Sequence, residues 1–173
     1  MEKWDILDAE GQPIGKTAVR GKTTLSSGEY HLVVHIWVVS DDGKFLIQRR
    51  SKLKKLMPGE WAATGGAAIS GEDSFTAAKR ELEEELGLVS DENSLKFIKR
   101  VKRRSAFVDI WKIKCNTPAE EFKLQESEVD RVKWVTKQQL KDMISNGKFH
   151  NYGKYYWSVI FGTNKELEYE FEY

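Results

Sequence analysis

Apolar and polar positions change their spacing several times along the chain, and each change marks an element. Residues 31–40, HLVVHIWVVS, are rich in β-branched and aromatic side chains and predict a strand. Asp41-Asp42-Gly43 reads as a turn, and KFLIQRR at 44–50 pairs back as a second strand. Upstream, Trp4 to Leu7 is strand-like, Asp8-Ala9-Glu10-Gly11 is a turn signal, and Ile14 to Val19 returns, which predicts a hairpin followed by a turn-rich connection. Downstream of 50, the basic, irregular stretch SKLKKLMPGEW leads into WAATGG. The spacing then shifts to three and four: Phe75, Ala78, Leu82 and Leu86 make one apolar face and predict a helix over 73–86. Asp73 or Ser74 can cap its start and Gly87 its end. Strands are expected at 95–101, 106–114 and 129–135. Thr136 opens a second helix, with Gln139 completing a capping box and Gly147 as the stop. Residues 151–161, NYGKYYWSVIF, predict a third helix packed by its aromatics. In the tail, Leu167, Tyr169, Phe171 and Tyr173 alternate with glutamates, the period of a half-buried strand, within one subunit or across a dimer. Strands interleaved with few helices predict an α+β chain, a mixed sheet between helices.

Composition narrows this picture. A chain of 173 residues argues for one domain, or one domain with a small appendage. With 40% hydrophobic and 32% charged residues it can build a core and is not a disordered chain. The net charge is +1, so nucleic-acid binding would need a local patch. A single cysteine, Cys115, excludes an internal disulfide framework and a multi-cysteine zinc module. No apolar run reaches membrane-spanning length, and MEKWDILDAE lacks the basic start and apolar stretch of a signal peptide. A cytoplasmic protein is expected; an exported chain whose signal has been trimmed is the alternative.

Candidate chemistry concentrates in residues 66–88, GAAISGEDSFTAAKRELEEELGL. On a helix, Glu81, Glu84 and Glu85 lie within about one turn, facing one side and away from the apolar face. Three like charges this close repel unless a cation sits on them. Carboxylates at this density, without cysteines or a clear histidine partner, suit hard ions such as Mg2+ or Mn2+. Arg80 borders the cluster and can hold a carboxylate by a bidentate contact. The Gly65-Gly66 pair lets backbone come close to a metal or phosphate.

This segment resembles the Nudix box, in which Gly, five residues, Glu, seven residues, Arg-Glu, an apolar residue, a free position, Glu-Glu, a free position, Gly and an apolar residue follow one another. The matching residues are Gly66, Glu72, Arg80, Glu81, Leu82, Glu84, Glu85, Gly87 and Leu88. Seven fixed identities at roughly one in fifteen each arise by chance about once in 10^8 starting points, far rarer than a lone glycine motif. The resemblance implies an α/β/α sandwich around a mixed sheet, carrying a hydrolase of nucleoside diphosphate derivatives that uses Mg2+ or Mn2+. By matching position it implies Glu84 and Glu85 as metal ligands, the Gly65 carbonyl as a further ligand, Glu81 as ligand or water-activating base, and Glu72 and Arg80 as braces. A further Glu outside the box serves as base or ligand in many members; Glu120, Glu121, Glu126 and Glu128 are the candidates.

The stretch from Trp4 to Trp134 also resembles the Nudix branch related to isopentenyl-diphosphate isomerase, through His31, FLIQRR at 45–50 and PGEW at 58–61. By position Arg49 and Arg50 become candidates for binding substrate phosphate, a task that suits guanidinium. The isomerase needs a cysteine soon after PGxW with a histidine close behind it, and WAATGGAAISGE holds neither. Hydrolase chemistry is therefore favoured over isomerase chemistry, and a non-catalytic Nudix binding module is the third reading. His31 matches an isomerase ligand whose co-ligands are missing; it and His35 are read as structural, and Cys115 as an inert thiol. Lys96, Lys99, Arg100, Lys102, Arg103 and Arg104 could offer an anionic ligand a surface, but read better as a solvated strand end. The expected organisation is an N-terminal hairpin extension over 1–28 and a Nudix domain over 29–173. The expected partner is a small diphosphate, not nucleic acid or membrane, with a homodimer as the candidate assembly.

Overall fold

The computed structural model describes residues 2–162. The alternating tail at 167–173 lies outside them. Two strands, β1 (Lys3–Leu7) and β2 (Pro13–Val19), pair antiparallel as the expected hairpin and form a small sheet of their own. The main sheet is mixed. Its centre is β3 (His31–Val39), parallel to β8 (Ala106–Lys114) over its whole length, from His31 opposite Ala106 to Val39 opposite Lys114. The strand β7 (Leu95–Lys102) adds antiparallel to β8. On the other side, β4 (Phe45–Arg50) meets β3 at Val39 opposite Phe45, then diverges to pair with β5 (Trp61–Ala62) and β9 (Val129–Val135). The gap this leaves along β3 is filled by β6 (Thr64–Ala67), antiparallel over Val33–Ile36.

β3 alternates between two cores. Val34, Ile36 and Val38 face α1 (Ser74–Leu86), together with Leu46, Ala78, Leu82, Leu86 and Trp111. Trp37 and Val39 face the opposite side, where α2 (Lys137–Ser145) and α3 (Lys154–Phe161) supply Leu140, Tyr156 and Trp157. A strand covered on both faces needs apolar side chains at every step, which is why 31–39 reads as a nearly unbroken run. The result is the α/β/α sandwich.

Helix ends follow the expected chemistry. Asp73 caps α1 by accepting from Thr76 N, and Gly87, at φ 64°, closes it in the left-handed region. Thr136 and Gln139 form a reciprocal capping box on α2. WAATGG, left without an element by its pattern, contains β5 and all but the last residue of β6. These are two and four residues long, too short for a period, and they exist because β4 and β3 offer them partners.

The two strand histidines are structural in their contacts. His31 stacks on Trp4 with ring centroids 4.2 Å apart. Tyr156 Oη accepts from Trp37 Nε1 at 2.9 Å and shares a hydrogen bond with His35 Nδ1 at 2.9 Å. Burial holds His35 down to about 3 and His31 down to about 4, so both are neutral. Cys115 contacts Thr117 Oγ1 at 3.2 Å and packs against the α1-side core. Within the basic run, Arg100 forms a bidentate pair with buried Asp109 at 2.6 and 2.8 Å, Lys102 Nζ donates to Ala9 O at 2.6 Å, and Arg103 donates to Tyr152 O. Half of that run therefore serves the fold.

Candidate active site

The helix α1 buries two adjoining rows. The first, Ala78-Leu82-Leu86, is the predicted apolar face; the second, Ala77-Glu81-Glu85, is buried as well. The expectation of acids held away from the apolar face is thus corrected for two of the three. Glu85 is 2% exposed and Glu81 9%, whereas Glu84 points out beside them. Residues four apart on a helix lie one above the other, so a single row carries both buried carboxylates under the sheet.

Each carboxylate has a distinct setting. Glu85 Oε2 accepts from Gln48 Nε2 at 2.9 Å and from Gly65 N at 3.1 Å. Burial, with the charge of Glu81 second, pushes Glu85 up to about 8. Burial also raises Glu81, against the pull of Arg80. Gly66 lies directly over Glu81: a Cβ there would stand 2.3 Å from Glu81 Oε1, so only glycine leaves the carboxylate its place.

Arg80 organises the rest. Its Nε and Nη2 donate to the two oxygens of Glu72 at 2.8 and 3.0 Å, and Nη2 also donates to Ala67 O at 3.1 Å. Its Nη1 spans Glu81 Oε1 at 2.8 Å and Glu84 Oε2 at 3.0 Å. One guanidinium thus neutralises part of a cluster that would otherwise repel itself.

Gly65, Glu72, Arg80, Glu81, Glu84 and Glu85 are brought together. Arg49 and Arg50 stand further out: Arg49 Nε lies 3.6 Å from Asp130 Oδ2, and Arg50 Nε donates to Leu56 O at 3.2 Å. Of the four acids outside the box, Glu120, Glu121 and Glu126 are exposed. Glu128 is half-buried, pairs with Lys54, and is close enough for its charge to raise both Glu81 and Glu85. Sequence reasoning missed Gln48. It is 1% exposed, faces Glu85, and has its amide orientation fixed by Thr64 Oγ1, which donates to Gln48 Oε1 at 3.2 Å. The signal was present in FLIQRR, where a polar residue stands on the face that Leu46 buries.

The donor set is all oxygen and suits a hard divalent ion. Among the described residues, no three His, Cys, Asp or Glu side chains already converge as a metal cage, and Arg80 bridges Glu81 and Glu84. No described helix is long and apolar enough to cross a membrane.

Comparison with known proteins gives the family. The NUDIX domain family profile matches residues 29–155. An uncharacterized Nudix hydrolase of Listeria monocytogenes is 37% identical over 153 residues, covering 88% of this chain and 90% of its own. Nudix hydrolase 3 of Arabidopsis thaliana is 32% identical over 158 residues, which are 83% of this chain and 20% of that much longer protein. Among solved structures, a Deinococcus radiodurans protein superposes with a TM-score of 0.78 at 23% identity, covering 92% of this chain and 98% of its own. The chain belongs to the Nudix family of hydrolases and is by class a pyrophosphohydrolase, acting on a small molecule.

Proposed function

We propose that this enzyme cleaves a diphosphate bond in a nucleoside diphosphate derivative or similar small diphosphate, with Mg2+ or Mn2+ bound and water as the nucleophile. The observation that carries the reading is the pair of buried carboxylates, Glu81 and Glu85, packed against the Gly65-Gly66 backbone with Glu84 at the solvent side. Burying two acids against each other is costly, and a divalent ion offsets that cost. When bound, such an ion supplies charge neutralisation for the diphosphate and makes water more acidic. Glu81, Glu84, Glu85 and the Gly65 carbonyl would hold it, with Glu81 as ligand or base. Glu72 and Arg80 brace the carboxylates, Glu128 is the acid outside the box nearest the chemistry, and Arg49 or Arg50 binds substrate phosphate. The test is a screen of nucleoside di- and triphosphates, nucleotide sugars, dinucleoside polyphosphates, coenzyme A, NADH and isoprenoid diphosphates with Mg2+ or Mn2+. Metal-dependent phosphate release is the expected result; allylic product from an isoprenoid diphosphate would instead establish the isomerase.

Metal affinity should depend on pH with a definite sign. Glu85, pushed up to about 8, holds a proton at neutral pH, and ligation requires its loss. Mn2+ affinity should therefore rise between pH 6.5 and pH 8.5, by up to about tenfold per pH unit below 8, with proton release on binding. The metal-free protein should show the opposite trend in stability. A carboxyl raised in the folded state stabilises it below its unfolded pKa and loses that contribution as pH climbs through the folded value. Calorimetry in buffers of different ionisation enthalpy reads the proton count; a pH-independent affinity would contradict the assignment of Glu85.

Gln48 gives a third expected result. Gln48→Leu leaves Glu85 Oε2 with the Gly65 amide alone. It should weaken Mn2+ binding about tenfold and lower stability by roughly 1–3 kcal/mol, since the buried Thr64 Oγ1 also loses its acceptor. An unchanged affinity would show that Glu85 needs no orienting partner.

A further inference from the structure

The hairpin β1–β2 precedes the span that the family profile matches, yet it reaches into the loop that opens α1. Asp5 Oδ1 accepts from Ser70 Oγ at 2.6 Å, and Asp5 Oδ2 accepts from Gly71 N at 2.8 Å. Ser70 N donates to Lys3 O at 2.8 Å. One short strand thus takes three donors from two consecutive loop residues. Gly71 has φ +90°, a conformation that lets the chain turn there and present its amide to Asp5.

The next residue is Glu72. It accepts from Ile69 N at 3.0 Å on its own loop and from Arg80 Nε and Nη2 across it. Arg80 Nη1 continues to Glu81 and Glu84. From Asp5 to the carboxylates the only covalent steps are Gly71 to Glu72 and the Arg80 side chain; every other link is a hydrogen bond. The near end is anchored too. Ile6, Leu7 and Ala18 are buried, Leu7 and Tyr30 exchange backbone bonds at 2.8 and 3.0 Å, and Trp4 stacks on His31. The hairpin therefore has the rigidity to hold a loop whose outer surface, residues 69–71, is exposed. A brace such as Glu72–Arg80 orients a carboxylate only as well as its own backbone is held.

We propose that the N-terminal hairpin is a working part of the catalytic unit: Asp5 is a positioning residue that clamps the loop at 69–71 and, through Glu72 and Arg80, sets the box carboxylates for metal. This rests on the metal-dependent reading above. The alternative role, a decorative appendage that adds stability only, moves different observables.

The test uses the full chain with Asp5→Ala and Asp5→Asn. Amide exchange at Gly71, the Mn2+ dissociation constant and steady-state kinetics are read on each. Asp5→Ala should speed exchange at Gly71, weaken Mn2+ binding about tenfold and lower kcat by a similar factor while KM moves little. Asp5→Asn should recover most of this, because its amide can accept from Gly71 N and donate to Ser70 Oγ. Should Asp5→Ala fail to fold, Ser70→Ala removes a single bond and carries the test with the same sign. Mn2+ affinity and kcat within about twofold of wild type, despite faster exchange at Gly71, would overturn the clamp. If the wild type binds Mn2+ but hydrolyses no diphosphate, the hydrolase assignment falls while the Mn2+ arm still decides the role of Asp5.

Discussion

Glu81→Gln is expected to lower kcat by about 10^3-fold while the thermal midpoint moves by less than about 4 °C. The two effects separate because glutamine keeps the shape and loses the charge. Its carbonyl still fits beneath Gly66, where no bulkier group would, and still accepts from Arg80 Nη1. On the stability side, a charge-assisted bond to Arg80 becomes a neutral one, a loss of roughly 1–2 kcal/mol. Against it stands the removal of a carboxylate whose burial already disfavours ionisation, which acts in the opposite direction. Neither wins by much. On the chemical side nothing compensates, since an amide neither accepts a proton from water nor offers a metal a full negative charge. Kinetics on whichever diphosphate the screen returns, beside a melting curve, reads both halves. Wild-type turnover in the variant would remove Glu81 from the mechanism.

Gly65→Ala should be severely destabilising. β6 lies against β3 with Gly65 opposite His35, and a Cβ on Gly65 would stand 2.0 Å from Val34 O and 3.1 Å from His35 Cα. Those are backbone atoms of a strand buried on both faces and cannot step aside. Gly65 also has φ +149°, which an L side chain rarely adopts. The combined cost is roughly 3 kcal/mol or more, a large share of the ~5–15 kcal/mol by which domains are stable, and a drop of about 6–12 °C in melting temperature. Gly15→Ala is the control. Its φ is +72° but nothing lies within 4 Å of the new methyl, so only the backbone term of about 1 kcal/mol applies. Equal losses at the two positions would mean that strain, and not the approach of β6 to β3, governs Gly65.

The sandwich was legible because most of its elements are long enough to show a period and carry their own stop signals. Asp73 and Gly87 at α1, and Thr136 with Gln139 at α2, are local chemistry and appear as expected. The acids of the box were legible as a pattern of spacing, but not as an environment. That Glu81 and Glu85 are buried while Glu84 is not depends on which helix row lies under β6 and β3, and no helical spacing reveals it. The same holds for Glu128: four acids outside the box look alike in sequence, and only the pairing of β4 with β9 brings one of them near. Gln48 and Asp5 were passed over for opposite reasons. The first is a single polar residue inside a strand, with no spacing that ties it to the box, and the second lies before the motif altogether. β5 and β6 were invisible because they are defined by their neighbours.

The parallel pairing of β3 with β8 joins His31 to Ala106, and the whole of β6, α1 and β7 lies in the excursion between them. The motif occupies 23 consecutive residues, 66–88, yet the place it makes is of high contact order. Gln48 arrives from β4 and Asp5 from β1, while Gly65 is held by β3, so the surroundings of the box are drawn from segments far apart in sequence, each contact closing a long loop. A peptide cut at the ends of the motif would carry the box acids with Arg80 and Gly66, but would lack Gln48, the Gly65 amide and Asp5. The site's chemistry therefore depends on the pairing of β3 with β8, two strands that lie wholly outside the motif.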